Sequence, residues 1–386
     1  MNDDQILPVD VVFEILSRLP VKTLIRFTLV CKSWSSLIRN PEFLAARQRY
    51  TGLSRCNEKR LFLYIKGNSY ALISDEHAHE QLTGTFPAGL FCSEILGRSC
   101  NGLVCLKMTY NKAKTGIFLW NPLIQKFKAL DTFPYMYTYD DDDCFLYGLG
   151  YHEPCKDHRV VRVSFTEKSK KNKVDIYSMS TDSWRTVEGA RVPRRFGKQL
   201  YPSGLYLNGA VHWLTKKRVE DYLEFLKSIV SFNFIEETFH DMVLPSELQA
   251  DIDFVVDINE FKGSLAILIA EDFSGGPFYL WVMNENGVAE SWTKTILMVP
   301  VEFSKWPQVF MKDGMILVKK RCNRENNPLV LYDLKDGKSK KIGNLELGHP
   351  ELIVDFTESL VLLDKEDGWF DTPNLLHLFE PCLRFV

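Results

Sequence analysis

GIFLWNPLIQKF (residues 116–127) reads as a single hairpin of a β-protein. An apolar run ends on Trp120–Asn121, a short turn follows, and an aromatic residue returns at Phe127, seven positions after Trp120. In a tight hairpin, positions seven apart face each other across the two strands, so Trp120 and Phe127 are expected to pack.

The same arrangement recurs along the chain. A large apolar residue followed by a small polar one stands at Ile73–Ser74, Trp120–Asn121, Tyr177–Ser178, Phe232–Asn233, Met283–Asn284 and Tyr332–Asp333. Successive spacings are 47, 57, 55, 51 and 49 residues. Tyr177 is answered by Trp184 and Phe232 by Phe239, again seven residues on. The Met283 unit is two residues longer and returns with Trp292, and the last unit has Ser339 with Asp336–Gly337 as its turn. Short apolar and aromatic runs separated by Gly, Asn, Asp and Ser are the signature of strands and tight turns. Six units of about 50 residues predict a six-bladed β-propeller, in which each blade is a four-stranded sheet. A two-sheet sandwich with chance spacing is the alternative, but the span is large for one sandwich. LIVDFTESLVLL (352–363) is expected to pair near LFLYIKG (61–67) and close the ring.

The chain before residue 60 has a different character. ILPVDVVFEILSRLPVKTLIRFTLVCKSW (6–34) has apolar residues on nearly every side of any helix drawn through it. Pro8 suits the first position of a helix, because its missing N–H has no helical partner there. Asp10 in the first turn favours the helix dipole. Pro20 ends this helix. A second helix is expected from Lys22 to Phe27 and a third from Leu29 to Ile38, closed by Asn40–Pro41. Asp10, Glu14 and Arg18 form one polar stripe, the expected solvent side. Residues 6–43 include 20 apolar residues, more than a unit below about 40 residues buries on itself. The surplus must pack on the rest of the chain, lie on a membrane or be covered by a partner protein. The acidic balance of the stripe disfavours anionic lipid, and an exposed apolar patch is the usual mark of a partner.

LPVDVVFEILSRLPVKTLIRFTLVCKSWSSLIRNPEF closely resembles an F-box. The pattern is matched at Leu7, Pro8, Glu14, Ile15, Leu16, Arg18, Leu19, Pro20, Val30, Cys31, Lys32, Trp34, Leu37, Ile38, Pro41 and Phe43. Phe13 is more apolar than most members at that position. The resemblance implies docking onto a Skp-type adaptor, which links to a cullin scaffold in a ubiquitin ligase. It also implies that Leu7, Pro8, Ile15, Leu16, Leu19, Pro20, Val30 and Trp34 contact that adaptor or position the helices that do. The body resembles the plant F-box-associated, kelch-like domain in SCNGLVCL (99–106), LWNPLIQKFKAL (119–130), YGLGYHEPCKDHRVVRV (147–163), IYSMSTDSWR (176–185), GLYLNGAVHWL (204–214), SFNFIEETFHDMVLP (231–245) and WVMNENGVAESWTK (281–294). It departs where members read Tyr-Asp-Pro and then Asp-Asp-Tyr-Lys-Val-Val; here stand Tyr151-His152-Glu153 and Asp157-His158-Arg159-Val160-Val161. The glycine doublets of true kelch repeats are absent apart from Gly275–Gly276.

The expected fold class is therefore α+β by segregated domains, a small helical F-box followed by an all-β propeller. The expected layout is a tail at 1–5, the F-box at 6–45, a linker at 46–60, the propeller at 61–370 and a tail at 371–386.

Bulk properties fit this picture. The chain has 386 residues, is 45% hydrophobic and 25% charged, and carries a net charge of −3. It has no global basic field for nucleic acid. No signal-peptide run, membrane-length apolar run or lipidation signal is seen. The nine cysteines form no CxxC pair and read as reduced thiols in cytoplasm or nucleus.

Motifs for chemistry fail on inspection. YGLGYHEP lacks the third glycine of a dinucleotide loop, YDLKDGKS lacks the first glycine of a phosphate loop, and no GxSxG is present. His152, Cys155 and His158 match no common zinc spacing. His77 and His79 flank Ala78 and read as surface histidines. Asp140 to Asp143 read as a solvated loop. KSKKNK (168–173) reads as a charged hairpin tip, and RVPRRFGK (191–198) is similar. No catalytic residue, cofactor or metal is expected, and ubiquitin chemistry would lie in partner subunits. The target protein is expected to meet loops. TFPYMYTYDDDDCF (132–145) is the candidate, with Tyr135, Tyr137 and Tyr139 as aromatic anchors and Asp141 as an acidic contact. Two readings stay open beside a ligase substrate receptor: an F-box protein that binds the adaptor only, and a propeller that binds or hydrolyses carbohydrate.

Overall fold

The computed structural model describes residues 7–44, 46–47, 61–74, 80–87, 89–110, 114–132, 143–166, 171–193, 204–218, 225–251, 255–270, 278–297, 309–311, 313–319, 329–342, 352–361 and 370–371. Its β-rich part is six antiparallel sheets arranged as the blades of a propeller. Blade 1 takes Leu352–Phe356, Leu61–Lys66, Ser69–Ser74 and Glu80–Thr85; blade 2 takes Leu90–Ile95, Val104–Tyr110, Lys114–Asn121 and Lys126–Thr132. Blade 3 takes Asp143–His152, Asp157–Thr166, Lys171–Ser178 and Ser183–Thr186; blade 4 takes Leu205–Leu207, Ala210–Arg218, Phe225–Asn233 and Thr238–Val243. Blade 5 takes Val255–Phe261, Ser264–Ala270, Phe278–Met283 and Trp292–Leu297; blade 6 takes Val309–Phe310, Met315–Lys319, Leu329–Asp333 and Ser339–Lys341.

Every repeated apolar–polar pair falls at the end of the third strand of its blade, counted from the innermost. The expected cross-strand partners form. Trp120 opposes Phe127, Tyr177 opposes Trp184, Phe232 opposes Phe239, Met283 opposes Trp292 and Tyr332 opposes Ser339. The small polar residue ties the turn: Asn121 Oδ1 accepts the Leu123 N–H, Asn233 Oδ1 accepts that of Ile235, and Asp333 Oδ1 accepts that of Lys335. A short polar side chain that bonds its own backbone two residues on is the usual nucleus of such a turn. Asp336–Gly337 is a hairpin turn, with Gly337 at φ 70°.

Ring closure also follows the expectation. Leu352–Phe356 pairs antiparallel with Leu61–Lys66, so blade 1 is sewn from both ends of the domain. Phe370–Asp371 adds a fifth strand to blade 2 beside Phe127 and Lys126, across the expected boundary with the tail. Asp143 begins the innermost strand of blade 3 opposite Thr166, so this one of the four aspartates is not in a loop.

The core is distributed between blades. Six buried apolar clusters lie between blades 1 and 2, 2 and 3, 3 and 4, 4 and 5, 5 and 6, and 6 and 1. Side chains alternate across a strand. In blade 1, Leu61, Leu63 and Ile65 therefore face blade 2, while Phe62 and Tyr64 face blade 6. A strand buried on both faces reads as a continuous apolar run, which is why the sequence shows runs such as LFLYI and not alternation. The short helix α4 (Ser246–Asp251) was not anticipated; it puts Leu248 into the cluster between blades 4 and 5. Residues after the innermost strand of blade 2 cross the ring. Gly97 bridges Gly204, and the Arg98 guanidinium donates to Ile258 O at 2.9 Å and to the Asn259 side chain.

The head has three short helices, α1 (Val9–Ser17), α2 (Val21–Phe27) and α3 (Lys32–Arg39), and is helical again at residues 41–44 and 46–47, past the Asn40–Pro41 expected to close it. Pro8 and Pro20 sit one residue before α1 and α2. The third helix begins at Lys32, not at Leu29 as expected. The Leu29 and Val30 N–H groups bond back to Arg26 O and Phe27 O, closing α2 with a turn, and Cys31 is extended at φ −155°.

Antiparallel alternation gives the propeller two faces. The turns between first and second strands and between third and fourth strands lie on one face; the remaining connections lie on the other. The head sits on the first face, against the 122–125 turn of blade 2 and the segment that follows the closing strand.

Candidate functional site

The head has a buried back and an exposed front. Leu16, Val21, Leu24, Ile38 and Phe43 form its core, and Leu360 of the propeller is buried with them. Leu123 and Ile124 of blade 2 pack against the same cluster. Glu358 Oε2 accepts the Val21 N–H at 3.1 Å, answering a helix-start donor that has no partner within the helix. Arg47 donates to Ser17 O at 2.9 Å at the end of α1. Phe13 lies edge-on to Phe43 with centroids 5.1 Å apart, so the unusual aromatic at this position is absorbed into the head itself.

The front carries Leu7, Val9, Val11, Ile15, Leu29 and Val30, all exposed. Leu29 is 86% and Val9 70% exposed, high values for large apolar side chains. Of the eight residues expected to serve adaptor docking, Leu7, Pro8, Ile15, Pro20 and Val30 are exposed, and Leu19 and Trp34 are half-buried. Trp34 packs against Phe27 with centroids 5.0 Å apart. Leu16 is 1% exposed; it supports the helices and presents no surface. Val9, Val11 and Leu29 are exposed apolar residues that the family pattern does not single out, because that pattern does not separate exposed from buried apolar positions. Glu14 and Arg18 are exposed and paired with each other, as the polar stripe predicts.

The four candidate target contacts, Tyr135, Tyr137, Tyr139 and Asp141, lie outside the described residues, as do His77 and His79. The described strands on either side of the former end at Thr132 and start at Asp143, both on the face away from the head.

The divergent loop at 151–159 has a structural explanation. His152 Nδ1 accepts the Cys155 N–H at 3.2 Å, and Lys156 takes a left-handed conformation at φ 50°. Asp157 accepts from Ser178 Oγ at 2.6 Å and from the Ser180 N–H at 2.8 Å. His158 is buried, with its ring 4.9 Å from that of Tyr151. Burial pushes its pKa down to about 4 against the opposing pull of the Asp157 carboxylate. Among the described residues no three His, Cys, Asp or Glu side chains are grouped to hold a metal ion. Lys171, Asn172 and Lys173 begin a strand that pairs back onto Ser164–Thr166; the rest of the basic cluster, 168–170, lies outside the described residues. The exposed Cys31 and Cys155 contrast with the buried Cys92, Cys100 and Cys105.

Two protein families match the chain. Residues 5–45 match the F-box domain and residues 92–363, more than half the chain, match the F-box associated beta propeller domain. An F-box/kelch-repeat protein of Arabidopsis thaliana is 27% identical over 86% of this chain and 89% of its own length. F-box protein CPR1 of the same plant is 28% identical over 88% of this chain and 84% of its own length. Among solved structures, TolB from Acinetobacter baumannii aligns at a TM-score of 0.47 and 10% identity over 82% of this chain and 72% of that one, too remote to bear on function. By its helical head and its six blades alike, the chain belongs to the plant F-box proteins with an F-box associated β-propeller domain.

Proposed function

We propose that the protein is the substrate-recognition subunit of an SCF-type (Skp–cullin–F-box) ubiquitin ligase. The head docks a Skp-type adaptor, the adaptor brings the cullin, and the propeller holds a target protein for ubiquitination. The observation that carries this reading is the asymmetry of the head: one side is buried on its own propeller, while Leu7, Val9, Val11, Ile15, Leu29 and Val30 of the same head are left exposed. Apolar surface of this kind marks a protein–protein contact. The chain's part is proximity. Holding a target lysine near a charged conjugating enzyme raises its effective concentration and requires no catalytic group in this subunit. Target contacts belong on the face away from the head, with Tyr135, Tyr137, Tyr139 and Asp141 as the first residues to test.

Co-purification from plant cells tests the reading. Adaptor and cullin are expected together, both lost from the Leu7→Ala/Pro8→Ala variant, and bound targets are expected to accumulate when cullin activation is blocked. Absence of the adaptor sinks the proposal. Adaptor without cullin or accumulating targets points to a receptor that does not ubiquitinate. Sugar binding by the propeller points to the carbohydrate reading.

A further inference from the structure

We infer that residues 357–361 form a latch that makes folding of the head and closure of the propeller ring one cooperative event, so that a partner bound to the head also tightens the ring. The segment follows directly on the closing strand Leu352–Phe356. Asn121, fully buried, grips it from blade 2: its Nδ2 donates to Ser359 O at 3.0 Å and to Val361 O at 2.9 Å. Gly102, at φ 79°, lies so close that an added Cβ would collide with Ser359. The other side of the latch belongs to the head, where Glu358 accepts the Val21 N–H and Leu360 is only 3% exposed within the head's core.

Two units that share buried groups do not open independently. Withdrawing the closing strand pulls Leu360 and Glu358 out of the head, and melting the head strips the apolar cover from Leu360 and the partner from Glu358. Reciprocity follows from linkage. Whatever stabilises the folded head, including a protein on its exposed front, stabilises the closed ring through the same contacts. The inference uses the proposed function only for the identity of that protein.

Amide hydrogen exchange on the full chain tests it, because local opening of each element is read separately. In Leu24→Ala, which cavitates the head's core, exchange across 352–356 is expected to rise about tenfold while 210–218 in blade 4 stays at the wild-type rate. Should that variant fail to fold, Ile38→Val gives the same pattern on a smaller scale. Faster exchange confined to the head, with 352–356 unchanged, overturns the latch. A second arm adds a purified Skp-type adaptor. It is expected to slow exchange across 352–356 in the wild-type chain and not in Glu358→Gln/Leu360→Ala. Adaptor that binds without protecting 352–356 overturns the latch and leaves the receptor reading standing. Adaptor that does not bind removes the receptor reading, and the head variants then decide the latch alone.

Discussion

Ile15 and Leu16 are neighbours in α1, turned about 100° from each other around the helix axis: Ile15 is 49% exposed and Leu16 is 1% exposed in the head's core. A charge at each should therefore fail for different reasons. Ile15→Asp is expected to keep the helical circular dichroism and lose adaptor binding by tenfold or more, about 1.4 kcal/mol. Leu16→Asp buries an unpaired charge and is expected to melt the head. Glu14→Lys, on the solvent stripe, should change adaptor affinity least. Equal losses at Glu14 and Ile15, measured by calorimetric titration, would mean that the docking face is on another side.

Two buried tryptophans differ in their hydrogen bonds. Trp213 Nε1 donates to Tyr147 O at 3.1 Å between blades 4 and 3, whereas Trp120 Nε1 is buried with no hydrogen-bond partner among the described residues. Both rings are fully buried, so replacing either by Phe removes similar apolar area. Trp213→Phe also removes a hydrogen bond and should cost about 1 kcal/mol more than Trp120→Phe in urea unfolding. Equal costs would show that the Trp213 bond contributes nothing net.

His158 and His212 give the fold a defined acid limit. Burial holds both rings down to about 4 from 6.5, and the weaker upward pulls, from Asp157 and the Cys100 carbonyl on His158 and from the Leu207 carbonyl on His212, are outweighed. The unfolded chain binds protons between these values and the folded chain does not. Stability is therefore complete above pH 6.5, falls as pH drops toward 4, and gains no further loss from these rings below that. The two together contribute on the order of a few kcal/mol. Urea midpoints at pH 7 and pH 5 measure the loss, and His158→Phe should make the difference smaller.

Thiol reactivity should sort by position. Burial pushes Cys92 and Cys100 up to about 12 and raises Cys105 as well. Cys31 is exposed, and its hydrogen bond with Ser33 lowers its pKa. Since the thiolate is the nucleophile, brief iodoacetamide treatment near neutral pH should label Cys31 and spare those three. Rapid labelling of Cys105 in the native protein would contradict the packing between blades 2 and 3.

The blades were legible because most of them repeat one local rule. An apolar strand, a short polar residue that ties the turn and a large residue returning on the next strand depend on contacts between adjacent strands, and Trp120, Asn121 and Phe127 write all three into twelve residues. The closing strand was legible because Leu352–Phe356 has no other strand to complete. Less legible was the start of α3: the turn at Leu29 and Val30 uses apolar residues that a helix would equally accept. Helix α4 was missed because SELQAD carries almost no apolar periodicity, and Leu248 alone fixes it to the core.

The sequence by itself determined the two-part architecture, the six-fold repeat and the surplus of apolar residues in the head, because these follow from period, spacing and composition. Only the tertiary structure decided which of those residues face inward. Leu16 and Ile15 are equally apolar, and what separates them is how the helices of the head pack on one another and on Leu123, Ile124 and Leu360 of the propeller. The tertiary structure also put Glu358 and Leu360 at the back of the head and so oriented its exposed front. A contact between residues 337 positions apart leaves no local pattern, since both partners satisfy their own neighbourhoods as an ordinary polar and an ordinary apolar residue.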